Sequence, residues 1–208
     1  MDDAVLLDLD GTLIDSVFHH VIAWDASLRR HGYEVPQWRI HAGLGMGSKR
    51  LVPWLLGGHV EDAEAVIAAH GELFSRRVAD LAPTPGACAL LEDLDRRGVP
   101  HLIATSARAD MRRRLLEKLG RSDLPALDAE AIEHSKPAPD LLLEGCRQLG
   151  VDPQRATMVG DAPWDAEAAR RIGMRCLAVR CGGFGDGALL AAGATAVVDD
   201  PRALIGRL

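Results

Sequence analysis

The chain has 208 residues, with 24 Lys+Arg against 30 Asp+Glu and a formal net charge of −6. With 48% hydrophobic and 26% charged residues it has the balance of a folded globular protein, which excludes a disordered chain. The mild acidity gives no electrostatic case for a nucleic-acid or anionic-membrane partner, and no apolar run is long enough to span a bilayer.

The four cysteines (Cys88, Cys146, Cys176, Cys181) are scattered without a CxxC, against both a disulfide framework and a structural zinc site. Met1-Asp2-Asp3 is acidic where a secretory signal is basic. The expectation is a cytoplasmic protein, monomer or homodimer, with neither nucleic acid nor membrane as partner.

In chain order, Ala4-Val5-Leu6-Leu7-Asp8-Leu9-Asp10 reads as a central parallel strand, apolar until it meets two acids, then Gly11 and Thr12. Residues 17–82 read as helical, with apolar residues at helical spacing over Val17–His31 and Ala63–Val78. Gly43-Leu44-Gly45-Met46-Gly47 and Gly57-Gly58 punctuate the stretch between them.

After Pro83-Thr84-Pro85-Gly86 helices and strands alternate. Helices are predicted over Ala87–Arg97, Arg108–Leu119, Asp140–Leu149 and Ala166–Ile172, each followed by glycine as a left-handed stop. Strands are predicted over Pro100–Thr105, Arg155–Gly160, Met174–Val179 and Thr195–Val198, with short helices at Gly187–Ala192 and Arg202–Arg207. Such alternation implies an α/β fold: a Rossmann-like, doubly wound parallel sheet with right-handed crossovers. The expected core is residues 1–15 and 83–208, carrying an inserted α-helical cap over 16–82. In such sheets the ligand site lies at the C-terminal strand ends.

Asp8 and Asp10 stand two positions apart, hence on one face if strand geometry persists there. Two carboxylates at a buried strand end repel each other, and a divalent cation is the usual relief; oxygen-only ligands point to Mg²⁺. A pair of solvated acids is the bland alternative.

Val5-Leu6-Leu7-Asp8-Leu9-Asp10-Gly11-Thr12-Leu13-Ile14-Asp15-Ser16 resembles the first motif of the haloacid dehalogenase superfamily of phosphatases. Leu102-Ile103-Ala104-Thr105-Ser106, Ser135-Lys136-Pro137-Ala138-Pro139-Asp140 and Met158-Val159-Gly160-Asp161-Ala162-Pro163-Trp164-Asp165 resemble the second, third and fourth, in order. The resemblance covers essentially the whole chain. It implies Asp8 as the nucleophile that forms an aspartyl-phosphate, and Asp10 as the acid/base that protonates the leaving alkoxide and then deprotonates water. It implies Mg²⁺ held by Asp8, the Asp10 backbone carbonyl and Asp161, with Asp165 binding or orienting it from behind. Thr105 would hydrogen-bond a phosphoryl oxygen, and Lys136 would hold the nucleophile. Gly11 allows backbone N–H groups of the Asp8–Thr12 turn to approach the phosphate.

Taken alone, Asp165 would be an N-cap of the helix over Ala166–Ile172, and Asp15 and Ser16 read as caps for the first helix of the insertion. The sequence departs from the family pattern at Ser106, where many relatives have Asn, and at Ala162, where a Ser is frequent. Ser106 remains a candidate phosphate contact.

Asp10 disfavours a dehalogenase, which needs no acid there. Gly160-Asp161 with Asp165 is more typical of phosphatases resembling phosphoglycolate phosphatase than of phosphosugar mutases, which tend to carry a Glu-Asp pair. The expected function is therefore Mg²⁺-dependent hydrolysis of a small phosphorylated metabolite. The alternatives are a β-phosphoglucomutase-like mutase, for which His20 stands at a suggestive position, and a silent phosphometabolite-binding protein. Candidate substrate readers are His19, His20, Lys49, Arg50 and Trp54, Arg50 first because a guanidinium pairs with a second anionic group. Trp24, Trp38 and Trp54 are otherwise expected to pack inside the cap.

Overall fold

The computed structural model describes residues 4–127, 132 and 134–208; Met1-Asp2-Asp3 lie outside the described residues. Five parallel strands, β1 (Ala4–Leu7), β2 (His101–Ile103), β3 (Ala156–Gly160), β4 (Arg175–Val179) and β5 (Ala196–Val198), form one sheet in the order β2-β1-β3-β4-β5. The chain is an α/β protein of the doubly wound type. Alternate β1 side chains explain the two helical faces. Val5 and Leu7 join α5 (Ala87–Arg97) and α6 (Ala109–Lys118) in one apolar cluster. Leu6 joins α7 (Asp140–Leu149), α8 (Pro163–Arg171) and α9 (Asp186–Ala192) in the other.

Between β1 and α5 lie α1 (Val17–Arg30), α2 (Gln37–Gly43), α3 (Ser48–Leu56) and α4 (Ala63–Ser75). These helices share an apolar cluster built on Val21, Trp24, Leu28, Ile40, Val52 and Val66. The outgoing and returning chains run side by side below them: Asp15 N–H donates to Ala82 O at 2.9 Å, and Thr84 N–H to Leu13 O at 2.9 Å. No helix among the described residues is long and apolar enough to cross a membrane.

Several boundaries differ from the sequence reading. The strand β1 ends at Leu7, not Asp10, because the chain coils immediately: Leu13 and Ile14 N–H both donate to Leu9 O. Gly11 takes φ 83° in this turn. Helix α8 starts at Pro163, where a missing N–H costs nothing in the first turn. Asp165 is therefore inside the first turn, not its cap. Ser16 does stand at the N-cap of α1, but its hydroxyl makes no cap bond. The expected helix over Arg202–Arg207 is a single 3₁₀ turn, Pro201–Leu204. Trp38 is 73% exposed and packs no interior.

Candidate active site

The C-terminal ends of β1, β2 and β3 converge on one buried group. Asp8 follows β1 directly and is fixed in the sheet by its N–H donating to Val159 O at 2.9 Å. Lys136, 2% exposed, donates to Asp8 Oδ1 at 2.7 Å and to Ala104 O at 3.1 Å, and pairs with Asp165 Oδ1 at 2.6 Å. The loop before α7 thus sends one ammonium between the carboxylate that follows β1 and the one in the first turn of α8.

Asp161 follows β3 and accepts a hydrogen bond from Thr12 Oγ1 at 2.9 Å. Asp165 Oδ2 accepts from Ala162 N–H at 3.1 Å, which ties the first turn of α8 back to the loop carrying Asp161. Space around Asp161 is tight. A Cβ on Gly182 would stand 1.9 Å from Asp161 Oδ2, and one on Gly11 would stand 2.4 Å from it. Thr12 sits inside the first motif, whereas nothing in the local sequence marks Gly182.

Asp8, Asp161 and Asp165 bring carboxylate oxygens within 4.8 Å of one another. Their charges are not balanced by Lys136 alone. Burial, opposed by Lys136 and reinforced by Asp165, pushes the Asp8 carboxyl up to about 7. Burial and the charges of Asp8 and Asp165 raise Asp161 well above the carboxylate range. For Lys136, burial acts to lower its pKa, but Asp165 and Asp8 outweigh it and the ammonium is held firmly charged. A surplus of buried carboxylate with an all-oxygen donor set is what a hard divalent cation requires. The cluster fits such a metal ion.

Asp10 is engaged differently. Its Oδ1 accepts from Ser16 Oγ at 2.6 Å and lies 3.1 Å from His20 Nε2. Burial acts to raise its pKa, but His20 and the Ser16 hydroxyl outweigh it and hold Asp10 below the ordinary carboxylate range. Its side chain is thus turned away from the three-carboxylate cluster and toward α1. His20 Nδ1 in turn lies 3.1 Å from His70 Nε2 on α4. His70 went unnoticed in the sequence, where it is one more residue of an amphipathic helix.

A cavity of about 420 Å³ opens above these groups, between the sheet ends and the helical layer. Asp8, Asp10, Thr105, Ser106 and Asp161 form its floor, and His20 and His70 stand on its wall. Thr105, 2% exposed, uses its Oγ1 to accept from Ala107 N–H at 3.1 Å. The α2–α3 turn leans onto the floor: a Cβ on Gly47 would meet Ser135 at 2.8 Å, and one on Gly45 would meet Ala162 at 3.0 Å. On the other side His41 Nε2 lies 2.7 Å from Gly182 O.

Arg50 is not on this wall. It and Lys49 lie on the exposed side of α3, because helical phase turns Ser48 and Leu51 inward instead. Trp24 is buried and stacked on His70 at 3.8 Å, whereas Trp54 is 39% exposed beneath Arg39.

Comparison with known proteins gives a consistent picture. A family model described as haloacid dehalogenase-like hydrolase matches residues 3–173. The chain is 32% identical to phosphoglycolate phosphatase 1 of Pseudomonas aeruginosa, covering 97% of this chain and 78% of that protein. It is 33% identical to hexitol phosphatase A of Escherichia coli, covering 84% and 81% respectively. Among solved structures, a hydrolase from Pseudomonas syringae superposes with a TM-score of 0.93 at 33% identity, over 97% of this chain and 95% of that one.

Proposed function

Because the chain belongs to the haloacid dehalogenase-like hydrolase family, and is a phosphatase of it, we propose that Asp8 attacks the phosphorus of a small phosphomonoester under Mg²⁺. The observation that carries this reading is the 2.7 Å contact of Lys136 with Asp8 beside two further buried carboxylates. Asp8 and Asp161, with the backbone carbonyl of Asp10, would hold the Mg²⁺. Asp165 has both oxygens engaged, by Lys136 and by Ala162 N–H, and its part is to support from behind. When bound, Mg²⁺ neutralises charge on the carboxylates and on the phosphoryl oxygens.

The steps then belong to the chain's own residues. The Asp8 carboxylate forms a bond to phosphorus as the ester oxygen departs, and Asp10, which takes up a proton as the substrate dianion arrives beside it, gives that proton to the departing oxygen. Water next attacks the aspartyl-phosphate while Asp10 takes its proton, releasing phosphate and restoring Asp8. Lys136 keeps Asp8 oriented and offsets the charge of the approaching dianion. Thr105 and Ser106 stand on the floor as donors to phosphoryl oxygens, and Gly11 keeps the turn close. Residues 16–82 act as a cap that shuts water out of the cavity. Small phosphorylated metabolites are the substrates such a covered site admits.

Phosphate release from p-nitrophenyl phosphate tests this reading. It should require Mg²⁺ and vanish in Asp8→Asn. A variant that keeps the wild-type rate would overturn the assignment of the nucleophile.

A further inference from the structure

Two of the relatives are named for phosphate esters of different kinds, one whose alcohol part carries a second anion and one whose alcohol part is uncharged, and the cavity wall distinguishes them. Accepting the phosphatase reading, we propose that the alcohol part of the substrate is an uncharged polyol or sugar, not a carboxylic acid or a second phosphate.

The floor of the cavity takes the phosphoryl group, so the helical wall facing it takes the alcohol. That wall presents Leu44, Leu51, Ile67 and Phe74, interrupted by Ser48 and Ser75. Apolar side chains accommodate the C–H faces of a polyol, and the hydroxyl groups between them exchange hydrogen bonds with its O–H groups.

A second anion would need a cation there. Removing a carboxylate or phosphate from water without a paired charge is costly. Among the described residues, α1–α4 place no Lys or Arg on the cavity wall. Residues 1–3, 128–131 and 133 contain no Lys or Arg either. The charged residue the helical layer does contribute, Glu72, is an acid whose carboxylate is matched by Arg76 at 2.5 Å and Arg30 at 3.7 Å. Lys49 and Arg50 face outward. The cation at the core rim, Arg108, is largely exposed and has Asp110 at 3.9 Å, so an anion there would be held weakly through solvent. His70 is no substitute: burial and its neighbour His20 hold it neutral, well below its ordinary value of 6.5.

Gly71 allows the reverse experiment. It lies on the wall in α4, and a Cβ built there meets nothing within 4 Å. Gly71→Arg therefore has room at its Cβ, from which a long flexible side chain can bring a guanidinium to the alcohol side.

The test is a ranking of kcat/KM for glycerol 3-phosphate, sorbitol 6-phosphate, phosphoglycolate and fructose 1,6-bisphosphate, with p-nitrophenyl phosphate as reference. Calorimetric binding of the same esters to Asp8→Asn in Mg²⁺ is measured in parallel. The esters with an uncharged alcohol part should lead the two with a second anion by roughly ten-fold or more in each series, and Gly71→Arg should shift the balance toward phosphoglycolate by about ten-fold. Equal or better performance of phosphoglycolate or the bisphosphate in the wild type overturns the proposal, as does a Gly71→Arg variant with unaltered preference. Failure of the phosphatase reading has another signature: p-nitrophenyl phosphate is untouched, or is still turned over by Asp8→Asn. The binding series then still decides which ester class the wall accepts.

Discussion

His70 Nε2 lies 3.1 Å from His20 Nδ1, so a buried imidazole on α4 reaches the carboxylate of Asp10 through the ring of a residue on α1. The two rings are held in place by stacking, His20 on Phe74 at 3.7 Å and His70 on Trp24 at 3.8 Å. Neither imidazole can rotate without breaking an aromatic contact. The direction in which Asp10 points is therefore set by the helical layer as well as by its own turn.

Loss of this support should be felt according to the leaving group. In His70→Phe, kcat for an alkyl phosphate is expected to fall roughly ten-fold or more, because a poor leaving group needs a well-aimed acid. The first-turnover burst of p-nitrophenolate should be nearly unchanged, since that anion departs without a proton. Stopped-flow comparison of the two substrates checks this; an equal loss on both would mean that His70 only supports the fold.

Lys136 is the protein's own counter-charge for the buried carboxylates. Its replacement by Met leaves them unpaired, and a loss of about 3–5 kcal/mol is expected in chelator, partly restored by Mg²⁺. Urea denaturation with EDTA and with saturating Mg²⁺ measures both quantities. A midpoint insensitive to the substitution would contradict the charge balance described for the site.

Gly182→Ala should act through Asp161 alone. Its Cβ would displace Asp161 Oδ2, so the Mg²⁺ concentration for half-maximal activity is expected to rise about ten-fold or more. Gly185→Ala, where a Cβ meets nothing within 4 Å, is the control. Metal titrations of the two variants separate a local effect from a general one.

Stability should also depend on pH through His70. Burial and His20 depress its pKa below 6.5 in the folded protein, whereas the unfolded chain titrates near about 6.5. The unfolded state therefore binds more protons as pH falls through that value. The His70 contribution is complete above it and declines below it until the folded-state pKa is passed. The raised carboxyls of Asp8 and Asp161 act in the opposite sense in both proteins, so the readout is a difference: between about pH 7.5 and 5 the denaturation midpoint of the wild type should drop relative to that of His70→Phe. Parallel curves would remove His70 from the linkage.

Much of this arrangement was legible in the residues. The helices Ala87–Arg97 and Asp140–Leu149 lie where apolar periodicity and the following glycines put them. Asp8, Thr105, Lys136 and Asp161 are gathered because each directly follows a strand or sits in a loop over the strand ends, and parallel-sheet topology brings those ends together. The end of β1 was not legible, because Asp8-Leu9-Asp10 continues the alternation of a strand while its backbone has begun to turn. The stretch holding α2 and α3 reads as helical, but the glycines that punctuate it mark boundaries without indicating phase, and the phase is what turns Arg50 outward. His70 carries no local mark at all, since its partners are made only when α4 packs on α1.

The central position of β1 has a consequence for synthesis on the ribosome. This strand is made before the rest of the sheet, and its two neighbours span residues 101–103 and 156–160. Until the later neighbour clears the exit tunnel, the earliest apolar segment has an open edge and is a natural client for a chaperone. A nascent chain arrested before Ala156 carries Asp8 without Asp161 or Asp165, so the cluster of three carboxylates is assembled only after β3 has been made.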